Sequence, residues 1–233
     1  MTLREMVQSS GRIVFFGGAG VSTESGIPDF RSQDGLYHMK YAVPPERILS
    51  AEYFFSHTAE FYRFYKDKML PLWAKPNAVH NRLAEWEREG KLLAVVTQNI
   101  DGLHQAAGSK RVFELHGSVH RNFCLKCGAP MSAEEIAACD GIPKCRCGGL
   151  VKPDVVLYGE SLDAETVQGA VSAISEADML VVAGTSLTVY PAASFVNCFR
   201  GKHLVLINRD ETPLDHKCDL VIHRGLGEVF SEI

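Results

Sequence analysis

The sequence predicts an α/β fold, a doubly wound parallel sheet carrying a smaller second domain. Three observations lead there. Short aliphatic runs recur and end in small or polar residues, helical patterns separate them, and two stretches interrupt the alternation. Continuous apolar runs this short suit strands covered on both faces, as in a parallel sheet.

Taken in order, the runs are Arg12–Phe16, Leu92–Val96, Val112–Leu115, Val155–Tyr158, Met179–Ala183, Leu204–Ile207 and Leu220–Ile222. Between them, Ala78–Glu89 places Val79, Leu83 and Trp86 at helical spacing. Ala164–Ala177 does the same with Val167, Ala170, Val171 and Ile174, behind Asp163 as N-cap. Strand–helix alternation of this kind specifies a doubly wound sheet. The first interruption, Ser32–Trp73, is dense in Tyr and Phe. It reads as a loop and then as helix from about Ala51 to Met69. The second, Arg121–Leu150, is rich in cysteine. The expected division is 1–31, 75–120 and 151–233 for the main domain, with 32–74 and 121–150 packing together as the small one.

Composition narrows the function. The chain has 233 residues, 46% hydrophobic and 22% charged, with a net charge of −4. This is ordinary globular usage with no general basic surface, so neither nucleic acid nor an anionic membrane is expected as a direct partner. No apolar run approaches the ~20 residues that span a bilayer, and the first residues carry no signal-peptide core. A cytoplasmic protein is expected.

Polar clusters follow the strands. After the first come Gly17–Arg31, GGAGVSTESGIPDFR, in which glycines allow a sharp turn and close approach to a pyrophosphate ahead of a helix N-terminus. Thr23 stands where a regular dinucleotide motif has its third glycine, and the continuation through Ile27, Phe30 and Arg31 adds an aromatic and a cation. Thr97–His104 (TQNIDGLH), Leu115–Ser118 (LHGS), Gly184–Ser186 and Asn208 follow later strands. In an open parallel sheet the carboxyl ends of the strands share one edge, so these clusters converge there. His116 lies between a buried strand and a glycine on that edge, and imidazole is the side chain best suited to take a proton near neutral pH. His104, His120 and His216 read as structural.

Of seven cysteines, Cys124, Cys127, Cys145 and Cys147 fall close together. Two close pairs across a short connection suit four thiolates around Zn²⁺ and leave no open coordination position, so the metal is expected to be structural. The second pair is the tighter Cys-x-Cys, and Cys139, in an expected helix Ala133–Cys139, is the alternative ligand.

Together, GAGVSTESGIPDFR, TQNID, ELHG, the cysteine pairs, KPDVVLYGE at 152–160, GTSL at 184–187 and the strand ending in Asn208 resemble the sirtuins, NAD-dependent protein-lysine deacylases, in their compact bacterial form. The resemblance implies a Rossmann-like large domain, a small helical and zinc-ribbon domain, and NAD between them. It implies cofactor contacts at Ala19, Thr23, Phe30, Arg31, Gln98, Ile100, Asp101, His116, Thr185, Ser186, Asn208 and Leu226. Catalytic roles fall to His116, Asn99 and Asp101, and a peptide edge to Val156, Leu157 and Tyr158, by strand addition. The implied reaction passes the acyl group of a modified lysine to ADP-ribose and releases nicotinamide. An acetylated-lysine protein or peptide is then the partner, and a monomer is expected. The competing readings are a mono-ADP-ribosyltransferase and an inactive NAD-binding scaffold, the latter opposed by the presence of both Asn99 and His116.

The resemblance also bears on the acyl group. Family members that prefer succinyl or malonyl lysine carry a Tyr-x-x-Arg pair on the helix lining the acyl pocket. Here Tyr62 is followed three positions on by Tyr65, and on a regular helix Lys66 lies on the same face as Tyr62. Acetyl is therefore expected over succinyl.

Overall fold

A computed structural model describes residues 1–29 and 43–233. Phe30, Arg31 and the aromatic residues Tyr37 and Tyr41 lie outside the described residues.

Among the described residues the strands are β1 (Ile13–Gly17), β2 (Leu92–Thr97), β3 (Val112–Glu114), β4 (Gly117–Cys124), β5 (Val151–Val155), β6 (Met179–Ala183), β7 (His203–Ile207) and β8 (Leu220–Ile222). Six form a parallel sheet in the order β3-β2-β1-β6-β7-β8, and β4 pairs antiparallel with β5 in a second, two-stranded sheet. The helices are α1 (Leu3–Ser9), α2 (Pro45–Ile48), α3 (Ala51–Ser56), α4 (Thr58–Phe64), α5 (Ala78–Arg88), α6 (Leu103–Ala107), α7 (Ala133–Ala138), α8 (Ala164–Glu176) and α9 (Leu226–Ser231).

The apolar runs are continuous because both faces of the large sheet are covered. Ile13 and Phe15 of β1 point to one core with Val79, Leu83 and Trp86 of α5 and Phe230 of α9. Val14 and Phe16 point to the other, with Ala170, Ala173 and Ile174 of α8. The cap expected for α8 is present, Asp163 accepting from Thr166 N–H at 2.8 Å. From β1 the chain moves to β2 on one side, and β6 lies on the other. The carboxyl end of β1 is thus a topological switch point, where ligands bind in such sheets.

Val155–Tyr158 does not join the parallel sheet. The strand there is β5, which ends at Val155 and pairs with β4. Val155 and Leu157 are buried instead in a third core with Tyr53, Phe54, Phe61 and Tyr62. A short apolar run looks alike whether sheet faces or a small core covers it. β4 runs across the expected boundary at 120/121, while β5 begins directly after the one at 150/151.

The helix expected over Ala51–Met69 comes in three pieces. His57, at φ −133° and ψ 46°, separates α3 from α4, and α4 runs into a π-helical turn, Tyr65–Met69. Aromatic contacts bind the pieces together: Phe54 meets Phe61 edge-on at 5.0 Å between centroids, and Phe61 stacks on Tyr65 at 5.5 Å. Phe61, Tyr62 and Tyr65 are buried.

The zinc cysteines fit the metal. All four Sγ atoms lie within 4.8 Å of one another, with Cys124–Cys147 at 3.5 Å, Cys127–Cys145 at 3.7 Å and Cys127–Cys147 at 3.4 Å. Tetrahedral thiolates about 2.3 Å from zinc stand about 3.8 Å apart. Lys126 N–H points at Cys124 Sγ (3.4 Å), and a Cβ on Gly149 would sit 2.5 Å from that sulfur. Cys139 is outside the group and caps α7, which ends one residue before it. Because the binding energy of a structural site is folding energy, Cys124→Ala or Cys145→Ala is expected to lose bound zinc and lower the melting temperature together. Cys139→Ala is expected to keep both. Metal analysis alongside thermal denaturation checks this, and zinc retained by Cys145→Ala would refute the ligand set.

Candidate active site

The cleft is built at the switch point by close backbone contact. Gly18 N–H donates to Ala183 O (3.2 Å) and Gly20 N–H to Gly184 O (2.9 Å). A Cβ on Gly20 would stand 2.8 Å from Gly184 Cα, so only glycine allows the first loop to press on the end of β6. The loop continues as two short 3₁₀ turns, Ala19–Val21 and Thr23–Ser25, rather than the expected helix. Thr23 Oγ1 donates back to Gly20 O at 3.0 Å, which holds the first turn tight.

The cleft has a volume of about 500 Å³. It brings together Ala19, Thr23, Gln98, Asn99, Ile100, Asp101, His116, Thr185, Ser186, Asn208 and Leu226, with Val156, Leu157 and Tyr158 on another wall. Every expected site residue within the described part, other than the zinc cysteines, therefore lines one cavity. Ile27, Leu49, Lys68 and Met69 line it as well.

Hydrogen bonds fix the polar groups. Gln98 Nε2 donates to Thr185 Oγ1 at 3.1 Å, tying β2 to β6 across the cleft floor. Asn99 Nδ2 donates to Ser22 Oγ at 3.0 Å, and Ser22 Oγ donates to Asp101 Oδ2 at 2.7 Å. The other Asp101 oxygen accepts from Leu103 N–H at 2.9 Å, at the start of α6. Ser22 is buried and central to this chain of bonds. The sequence reading passed over it because one hydroxyl among many small polar residues carries no spacing signal.

His116 follows β3. Its Nδ1 lies 3.0 Å from Gln98 O, and a carbonyl only accepts, so Nδ1 carries the proton and Nε2 keeps its lone pair. Burial holds the imidazole below its ordinary pKa, against a smaller upward effect of the Gln98 carbonyl. The ring is therefore a neutral base across the physiological range. Of the histidines set aside, His104 is buried against His80 at 4.7 Å between centroids. His120 is exposed, with Nε2 3.0 Å from Asp101 O, and His216 is exposed.

The expected peptide edge is tied directly to His116. Val156 N–H donates to His116 O at 3.0 Å, Leu157 N–H to Glu160 Oε2 at 2.9 Å, and Tyr158 N–H to Leu49 O at 2.9 Å. Two of the carbonyls are engaged as well, Leu157 O accepting from Glu160 N–H at 2.9 Å and Tyr158 O from Ala51 N–H at 3.0 Å. At the far end, Asn208 Nδ2 donates to Asp210 O at 2.8 Å. Glu24 Oε1 accepts from Gly227 N–H at 2.8 Å, which ties the first loop to the C-terminal segment carrying Leu226.

Tyr62 and Lys66 face away from the cleft. Tyr62 OH donates to Val151 O, while Lys66 Nζ donates to Cys139 O and, at 2.9 Å, to Gly141 O. The cation expected as a fallback partner for an acidic acyl group is thus engaged on the cysteine segment. The π turn brings Lys68 and Met69 to the cleft instead.

Among the described residues no helix is long and apolar enough to cross a membrane. The Sir2 family model matches residues 18–191. The chain is 55% identical to an NAD-dependent protein deacetylase of Clostridium acetobutylicum, covering 99% of this chain and 96% of that protein, and 52% identical to one of Cutibacterium acnes, covering 99% and 96%. Among solved structures, it is similar to Sir2 bound to a p53 peptide and NAD⁺, with TM-score 0.87, 38% identity and 100% and 97% coverage. Another is a Sir2 variant with a deacetylated p53 peptide and 3′-O-acetyl ADP-ribose, with TM-score 0.90, 39% identity and 99% and 96% coverage. Family match, full-length relatives and cleft geometry agree, and the chain belongs to the Sir2 family.

Proposed function

We propose that this protein is an NAD-dependent protein-lysine deacetylase in which His116 is the general base. The observation that carries the reading is one cavity that joins a neutral, half-buried imidazole to the Ser22–Asn99–Asp101 hydrogen-bond chain and the glycine loop. The relatives' names and the ligands of the similar structures support the same activity.

Bound NAD supplies a ribose carbon that becomes strongly electrophilic as neutral nicotinamide departs. The residues have separate work. The glycine loop, with Gly18 and Gly20 backbone N–H groups already engaged on β6, offers a narrow seat for the pyrophosphate, and Thr185, Ser186 and Asn208 line the floor and the adenosine end. Asp101, held by Ser22 and by Leu103 N–H, accepts from the carboxamide of nicotinamide. Asn99, fixed by Ser22 and with its N–H on Thr97 Oγ1 at 3.0 Å, orders water and ribose. His116 Nε2 takes the proton from the ribose hydroxyls. An acetylated lysine enters along the Val156–Tyr158 wall. The helical segment from residue 43 to 74 packs with the cysteine segment 121–150 as a small domain, and Leu49, Lys68 and Met69 of the former line the cleft.

His116→Ala is expected to keep the fold and NAD affinity while deacetylation falls by roughly 10²-fold or more, the loss typical of a general base. Peptide deacetylation with titrated NAD binding checks this, and a variant as active as the parent would remove His116 from the mechanism. The depressed imidazole gives a second expectation. Activity needs the neutral ring, is present above the folded-state pKa and is lost as pH falls through it, so the acid limb of kcat/KM lies below the ordinary value of about 6.5. A pH–rate profile with its acid limb above that value would contradict the assignment.

Acetyl lysine is expected to be turned over at least about tenfold better than succinyl lysine on the same peptide. Burying a carboxylate without a paired cation is costly, and Lys66 is engaged elsewhere. Comparison of kcat/KM for the two peptides decides this. Succinyl turnover equal to acetyl would refute it and point to Lys68, which lines the cleft beside Met69.

A further inference from the structure

Lys152 is a charged residue in an apolar place. It sits in β5 opposite Phe123, and only 10% of its side chain is exposed. A buried ammonium costs several kcal/mol unless its protons are satisfied. Here its three donors have three acceptors: Pro153 O at 3.3 Å, Val155 O at 3.2 Å and Glu160 Oε2 at 3.0 Å.

The partner carboxylate is itself part of a closed turn. Glu160 Oε2 accepts from Leu157 N–H at 2.9 Å, and Glu160 N–H donates to Leu157 O at 2.9 Å. The bonds are reciprocal, so Leu157–Glu160 forms a ring with Tyr158 and Gly159 at its tip, where Gly159 takes φ +92°. Both tip residues line the cleft. Tyr158 at the tip is 43% exposed, yet its backbone is bonded on both sides to the Leu49–Ala51 segment, N–H to Leu49 O at 2.9 Å and O from Ala51 N–H at 3.0 Å. The base of the turn is held by Val156 N–H on His116 O and by Glu160 on Lys152.

We propose that the Lys152–Glu160 ion pair is a positioning device for the acylated peptide, holding the Leu157–Glu160 turn at the distance from His116 that peptide entry requires. This rests on the deacetylase reading and adds to it a pair whose hydrogen bonds go to β5 and to the Leu157–Glu160 turn, with Glu160 at the cleft margin. The pair acts on the peptide wall and not on the glycine loop. A positioning role therefore predicts a split: peptide affinity changes and NAD affinity does not.

The test is binding of a dye-labelled acetyl-lysine peptide by fluorescence anisotropy, with NAD binding by calorimetry and turnover on the same samples. Lys152→Met is expected to weaken peptide binding by about tenfold and leave NAD affinity within about twofold, the signature of lost positioning. Lys152→Arg, which keeps the charge and the donors, is expected to restore peptide affinity to within about threefold. If Lys152→Met does not melt cooperatively, Glu160→Gln replaces it under the same criteria, since it keeps an acceptor for Leu157 N–H but removes the counter-charge. Unchanged peptide affinity in a folded variant, or equal weakening of peptide and NAD, would overturn the proposal. Parent protein that binds peptide without turning it over would instead defeat the deacetylase reading and leave the binding comparison standing. Parent protein that binds no peptide would overturn both.

Discussion

The molecule depends on the contact of backbone with backbone between the first glycine loop and the end of β6. Neither Gly18 nor Gly20 has room for a Cβ against Gly184 and Thr185, and two main-chain hydrogen bonds close the gap. Any side chain there would separate β1 from β6 at the switch point. The floor made by Gln98 and Thr185 would then lose its geometry, and so would the seat of Asn99 and Asp101 on Ser22. The cavity is thus a property of the sheet's chirality and of missing side chains before it is a property of any reactive group.

This explains which parts could be read from sequence. The large sheet was legible because strands covered on both faces must be apolar throughout, and β1, β2, β6 and β7 are. The zinc ligands were legible because their pairs are local, so spacing alone brings the sulfurs near one another. The place of His116 on the cleft was legible from its position between a strand and a glycine. Val155–Tyr158 misled, because its burial comes from a small aromatic core and the pattern does not name the cover. Lys66 misled for a different reason. A helical wheel assumes a constant rotation per residue, and the π turn at Tyr65–Met69 changes it, so Lys66 turns to the cysteine segment while Lys68 and Met69 reach the cleft. Ties across long sequence distances, such as Glu24 to Gly227, leave no local pattern.

The two cores of the sheet and the third, aromatic core do different physical work. The sheet cores are aliphatic, interdigitated and continuous with the helices that flank them, which suits a rigid floor. The third core is built from Phe and Tyr edges around short helical pieces broken at His57, with β4 and β5 running through it. Those strands connect it to the catalytic edge: Gly117, directly after His116, has no room for a side chain beneath Asp154 O, so β4 and β5 meet as closely as backbones can.

One hydrogen bond joins these regions at the point of chemistry. Val156 N–H rests on the carbonyl of His116 itself. The proposed base and the proposed peptide wall are therefore referenced to the same peptide unit, instead of being positioned separately from two ends of the molecule. In engineering terms the tolerance chain between tool and workpiece has a single link. Displacement of the surrounding aromatic core moves both members together, and the registry of proton acceptor and substrate is preserved while the scaffold around them shifts.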